Sequence, residues 1–343
     1  METPPPLEPG STVAVCRPAT VTVAGDYPAH LVELGFDRLR SFDLDPVGLD
    51  SLYADKQTLY DNPEGRAREL EAAFRDPDID GVMAAIGGDD QIRILKHLDP
   101  SAIRDNPTRF YGTSDNTSFA AFCRAQGVVS FYGGTLFTDI CEPGGLNDYA
   151  REYLERAFFD DSLGELREPD RVSDEDLDWH DPANLDRTPE YEASDGRRWH
   201  GSGRIESRTW GGCLEVLAAH LMADSYVPEE TAGSVLLLET SEELPESTAV
   251  RRVLRGLGER GTLDVGAVLV GRAKARSFGN ERTPEERTAY RERQREAVVE
   301  TVREYGDAVV VTDVAFGHTR PTAPVPIGGQ CVVDAATETL RFE

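Results

Sequence analysis

Between residues 11 and 132 the sequence alternates short apolar runs with amphipathic stretches, and few architectures accept that alternation. Strand-length runs that are apolar throughout suit strands covered on both faces, and the stretches between them can supply the covering helices. Strands are expected at 11–16, 81–86, 109–112 and 128–132, with helices at 28–34, 62–75, 91–98 and 116–125. Leu70, Ala73 and Phe74 form the apolar face of the second helix, and Gly87-Gly88 reads as a turn after a buried strand. The expectation is a doubly wound half built on a parallel sheet. Farther along, 214–220, 247–260 and 284–305 read as helices, and 234–239 and 308–312 as strands, so the whole chain reads as α/β. Its 343 residues have room for two domains. They are expected at 1–165 and 204–343, joined by a polar segment over 166–203.

The longest apolar runs have strand length rather than membrane length, and residues 1–10 are acidic and Pro-rich, unlike a secretory leader. A cytoplasmic protein is expected. Five separated cysteines make no C-x-x-C pair and read as reduced core thiols. The net charge of −27 is spread along the chain, with only three lysines (Lys56, Lys96, Lys274) among 36 basic residues. That balance resembles proteins of salt-accumulating halophiles, where carboxylates keep a crowded surface hydrated. Binding to duplex nucleic acid is disfavoured, because 63 acidic residues repel phosphate and no basic stripe offsets them.

Three positions carry chemistry. Ser114 lies in Gly112-Thr113-Ser114-Asp115-Asn116-Thr117, between an expected strand and an expected helix. A serine hydroxyl projects from such a turn, while N–H groups at the helix start can face a developing oxyanion. Asn116 stands where the second glycine of G-x-S-x-G belongs, and an ordinary helix N-cap would use the same residues. His318 follows a strand-like run and precedes Pro321, Pro324 and Pro326, a rigid setting for a base, although a structural histidine would fit there too. Glu239 ends the apolar run 235–238, where a carboxylate of an α/β protein reaches the site crevice or simply meets solvent. The order Ser, Glu, His is a workable triad order. Trp179, His180, Tyr191, Trp199 and His200 punctuate the polar segment, as a functional loop or as domain packing.

Two other readings fail on single residues. Residues 76–81 imitate the start of a calcium loop, but Gly87 holds the twelfth position, which needs a glutamate. Gly87-Gly88-Asp89-Asp90 imitates a kinase phosphate turn, where Asp90 would repel the phosphate. An inactive nucleotide-binding relative would have no chemical need for all three of Ser114, Glu239 and His318.

Taken in order, the blocks Ile86-Gly87-Gly88-Asp89-Asp90, Gly112-Thr113-Ser114-Asp115-Asn116-Thr117, Phe131-Tyr132-Gly133, Leu177-Asp178-Trp179-His180-Asp181-Pro182, Trp210-Gly211-Gly212-Cys213-Leu214-Glu215, Leu238-Glu239-Thr240-Ser241-Glu242, Phe316-Gly317-His318-Thr319 and Pro326-Ile327-Gly328 resemble the LD-carboxypeptidase family of serine peptidases. The tryptophan-bearing loop and the Gly-Gly-Cys-Leu-Glu block are most similar to its microcin C immunity branch. The resemblance implies an N-terminal parallel-sheet, flavodoxin-like domain and a C-terminal α/β domain that contributes part of the active site. It implies Ser114 as nucleophile, His318 as general base, Glu239 as its orienting partner, and the N–H groups of Gly88 and Asp115 as oxyanion donors. It further implies a homodimer that needs no metal or other cofactor. The substrate would be a small aminoacyl nucleotide, with Trp179 or Trp199 stacking on the base, or a short muropeptide. Thr113 and Asn116 depart from the aromatic and aliphatic residues frequent at these places in the family.

Overall fold

The computed structural model describes residues 1–20 and 27–343, and the chain divides into two compact units. The first comprises Met1–Ser162, Leu177–Thr188 and Ala323–Gly328. Its parallel strands are β1 (Thr12–Cys16), β2 (Asp45–Gly48), β3 (Gly81–Ala84), β4 (Arg109–Gly112) and β5 (Ser130–Tyr132). They lie in the order β2-β1-β3-β4-β5, the flavodoxin-like order that the resemblance implies. Val325–Ile327 adds an antiparallel strand beyond β5, with Val325 opposite Tyr132. β3 and β4 are buried at every residue, as expected of strands covered on both faces.

Several helices differ from the expected bounds. The first runs over Ala29–Arg40, well past residue 34, because Leu31, Gly35 and Leu39 continue one buried face beneath polar neighbours. Pro63–Arg75 starts where Asn62 accepts the Gly65 N–H at 2.9 Å and Pro63 fills the first turn. The helix expected over 91–98 is only one turn, Ile92–Leu95. A separate turn, Pro100–Arg104, follows, with Asp99 accepting the Ser101 N–H, since a residue before proline avoids the helical conformation. Asp148–Phe159 is a helix that the sequence reading did not anticipate, capped by Asn147. It buries Ala150, Tyr153, Leu154, Ala157 and Phe158, a helical spacing that is visible in the sequence.

The second unit comprises Leu163–Asp176, Pro189–Thr322 and Gly329–Glu343. Parallel strands Arg204–Cys213, Val235–Glu239, Ala267–Gly271 and Val309–Val314 form the middle of its sheet. The long first strand pairs twice. Arg204 to Arg208 run antiparallel to Gln330–Asp334, and Thr209 to Cys213 run parallel to Val235–Glu239. Arg198–His200 pairs antiparallel with Val309–Val314 at the outer edge, which places Trp199 opposite Val311. Leu214, Leu217, Leu254, Leu257, Val298 and Val302, from three helices, pack over the strand residues Leu236, Val268 and Val310. Pro284–Tyr305 has the bounds the sequence suggests, fixed by a capping box between Thr283 and Glu286. The polar segment 166–203 is not one connector, since Leu177–Thr188 belongs to the first unit and its flanks to the second.

Candidate active site

At the carboxyl end of β4 the chain turns sharply through Ser114 into a 3₁₀ turn, Ser114–Asn116, and then into the helix Thr117–Ala125. Ser114 has φ of +62°, a left-handed conformation that costs a residue with a side chain about 1 kcal/mol or more. The surroundings enforce it. Its N–H donates to the Tyr132 hydroxyl at 3.0 Å, and its carbonyl accepts the Thr117 hydroxyl at 2.7 Å. The Asn116 side chain donates to the carbonyls of Ile86 and Thr113 and accepts from the Gln91 amide at 2.7 Å. A β-carbon on Gly112 would stand 2.7 Å from that of Asn116, so these two residues are matched in size.

The glycine pair after β3 makes room for this turn. A β-carbon on Gly87 would lie 2.6 Å from the Ser114 β-carbon, and one on Gly88 would lie 2.3 Å from the Thr20 carbonyl oxygen. Asp90, which spoils a phosphate turn, is a structural anchor. Its carboxylate accepts from Thr20 N–H and forms a two-pronged buried pair with Arg66 at 2.9 and 2.7 Å. Asp115 differs. Its buried carboxylate accepts the Gln91 N–H at 2.7 Å, and burial, aided by the nearby charges of Asp90 and Asp89, pushes its pKa up to about 7.

In the second unit, Glu239 ends its strand fully buried, with an oxygen 2.7 Å from Nδ1 of His318. Gly317 makes the contact possible, since it has φ of +97° and a β-carbon there would stand 2.6 Å from that oxygen. On the other side of the ring, Nε2 lies 3.1 Å from Glu242, in the turn after the strand. Burial works against a charged ring, but Glu239 and then Glu242 hold the His318 pKa well above the usual imidazole range. Glu215 couples to Glu239 and accepts from the Cys213 thiol and from the Ser241 N–H and hydroxyl. Burial, then the charge of Glu239, raises its pKa.

Residues 13–133 match the LD-carboxypeptidase N-terminal domain, and residues 206–333 match the LD-carboxypeptidase C-terminal domain. A Streptomyces coelicolor protein designated a carboxypeptidase is 30% identical over 346 residues, covering 98% of this chain and 94% of that one. The chain belongs to the LD-carboxypeptidase family.

It is therefore a hydrolase of the serine-peptidase type. Within the family, microcin C7 self-immunity protein MccF of Escherichia coli is 27% identical over 282 residues, 81% of this chain and 77% of its own length. The crystal structure of an MccF-like protein from Streptococcus pneumoniae in complex with AMP matches with a TM-score of 0.85 at 28% identity, covering 97% of this chain and 99% of that chain.

The structure brings Glu239 and His318 together in one unit, and places Ser114 beside Gly87 in the other. Trp179 belongs to the first unit, its ring centroid 6.2 Å from that of Tyr27 and its carbonyl accepting from His30 Nε2 at 2.9 Å. Trp199 is half-buried in the edge strand of the second unit. Among the described residues, no group of three or more His, Cys, Asp or Glu side chains could hold a metal ion, and no helix is long and apolar enough to cross a membrane. Sequence reasoning missed Gln91 and Tyr132 as supports of the Ser114 turn, and Glu242 as the second carboxylate on His318. A carboxylate within three residues of Glu239 was the available signal for the last.

Proposed function

We propose that this hydrolase cleaves an amide-like bond at the carboxyl side of an aminoacyl or peptidyl group, with Ser114, His318 and Glu239 as its triad. The carrying observation is the left-handed backbone of Ser114 at a strand-to-helix turn, a strain that persists where a nucleophile must project. His318 Nε2 accepts the Ser114 hydroxyl proton as Oγ bonds to the carbonyl carbon, and the C=O electron pair moves onto oxygen. The N–H groups of Asp115 and Gly88 stabilise that oxyanion. Collapse breaks the bond to the leaving nitrogen, which takes the proton from His318, and water releases the acyl group by the same steps in reverse roles. Glu239 keeps Nδ1 protonated and offsets the positive charge of the ring during both transfers.

Aminoacyl nucleotides of the microcin C type are the favoured substrates, in a self-immunity or detoxifying role. The support is the 28% identical neighbour that holds AMP and the self-immunity protein of Escherichia coli. Trp179 is the better candidate for stacking on the base, because Trp199 is tied into a sheet edge. The same reading makes the protein a cytoplasmic homodimer suited to concentrated salt, consistent with a net charge of −27 and three lysines; light scattering in KCl measures the oligomer.

The deciding assay is release of amino acid from an aminoacyl-sulfamoyl adenylate, and from an LD-linked tetrapeptide, in concentrated KCl. Nucleotide cleavage that falls by about 10⁴-fold or more in Ser114→Ala is the expected result. Cleavage of the tetrapeptide alone would move the substrate to muropeptides, and equal inactivity of both folded proteins would favour a non-catalytic nucleotide binder.

A further inference from the structure

Both nitrogens of the His318 ring face carboxylates: Nδ1 faces Glu239 at 2.7 Å and Nε2 faces Glu242 at 3.1 Å. A ring held between two carboxylates is favoured as the imidazolium, which has no lone pair with which to take a proton from a serine. The two carboxylates differ in setting. Glu239 is buried at the end of its strand, whereas Glu242 lies in the turn after it, with its side chain 60% exposed. Hydrogen bonding to His318, against desolvation of its own carboxylate, brings the Glu242 pKa down to about 2, so it is an anion at any working pH. Lys274 is the nearby cation, and it is already committed, with its ammonium 2.8 Å from Asp176 and 3.2 Å from the Asp174 carbonyl. Among the described residues, Glu215 and Cys213 also couple to Glu239 and are held toward their neutral forms.

We infer that Glu242 is a positioning and specificity residue: it holds His318 in a non-basic resting state and is drawn off by a positive charge on the acyl part of the substrate. The inference rests on the triad proposed above. A carbonyl carbon within reach of a nucleophile served by Nε2 is also within reach of the carboxylate beside Nε2. In a free aminoacyl group the α-ammonium is two bonds from that carbon. Pairing with it removes the Glu242 charge from the ring, the Nε2 proton leaves to water, and the neutral ring can accept the serine proton. An acyl group lacking the ammonium leaves the clamp closed, and one that places a carboxylate there meets like charge.

Two measurements on wild type and Glu242→Gln test this. The first is the NMR titration of the His318 ring, which needs no substrate, and its midpoint should fall in the variant by about one pH unit or more. The second compares kcat/KM for an aminoacyl-sulfamoyl adenylate with a free α-ammonium and for its N-acetyl counterpart. Wild type should prefer the ammonium form by about tenfold or more, Glu242→Gln should lose most of that preference, and its acid limb should move to lower pH. Glu242→Asp should restore part of both. An unmoved titration overturns the clamp, and a moved titration with unchanged preference overturns the specificity role. Wild-type inactivity on both nucleotides overturns the proposed function and the substrate half of the inference with it, while a lowered titration would still support the clamp.

Discussion

Asp115 is a buried carboxyl group that accepts the Gln91 N–H, and its burial sets a pH dependence opposite to that of an ordinary ion pair. Its folded pKa of about 7 lies above the unfolded value of 3.8, so folding is least hindered below 3.8 and stability is lost as pH rises toward 7. His318 acts in the same sense, because its raised pKa contributes stability below the unfolded value that disappears as pH rises through the folded one. Asp115→Asn keeps an acceptor for Gln91 and should raise the thermal midpoint at pH 8 while changing little at pH 4. A midpoint unchanged at pH 8 would contradict the burial effect. Gly317→Ala should cost about 1–3 kcal/mol by urea unfolding and should abolish hydrolysis, since its methyl group has no place beside Glu239. Ser114 and His318 could be singled out as candidates because each follows a recognisable strand, and Glu239 because it ends one. Glu242 was not singled out, because its nearness to Glu239 in the chain does not by itself reveal that its turn meets the far nitrogen of a distant ring.

Elements are held by charge as well as by apolar packing. The buried Arg66–Asp90 pair fastens the helix Pro63–Arg75 to the glycine turn after β3, with Arg66 also donating to the Pro18 carbonyl. Arg66→Met should therefore cost about 3–5 kcal/mol, mostly from the carboxylate left without its main partner. On the same helix Arg68 pairs with Glu64 in solvent, and Arg68→Met should stay within about 0.5 kcal/mol. Chemical denaturation of the two variants side by side checks the contrast. In the second unit, Arg291 pairs with Asp174 at 2.6 Å and Arg295 with Asp313 at 2.7 Å. Both aspartates have lowered pKa values despite burial, through those arginines, and their stabilisation is present above the unfolded pKa and lost as pH falls through the folded one. At this scale the sequence was legible where a pattern persists over several turns, as in Pro284–Tyr305. It was illegible where three residues suffice, as in Val325–Ile327 and Arg198–His200, because an edge strand of that length is defined by its neighbour and not by its own periodicity.

For the molecule as a whole, a net charge of −27 means that each carboxylate on the surface adds to repulsion that salt can screen. Raising KCl from 0.1 M to 2 M should lift the thermal midpoint, by roughly 10 °C if screening recovers a few kcal/mol. A flat or falling midpoint would remove the physical basis for a salt-adapted surface. The α/β plan was readable from the alternation of runs in the first half, but the way the units share the chain was not. The outermost strand of the first sheet comes from Val325–Ile327, long after the rest of that unit is complete. A product stopped at residue 162 would leave the backbone of β5 open to other chains and should aggregate. In hereditary terms, no single crossover in the gene can exchange the whole of the unit that carries Ser114 for that of a relative, since its segments are interleaved with those of the other unit.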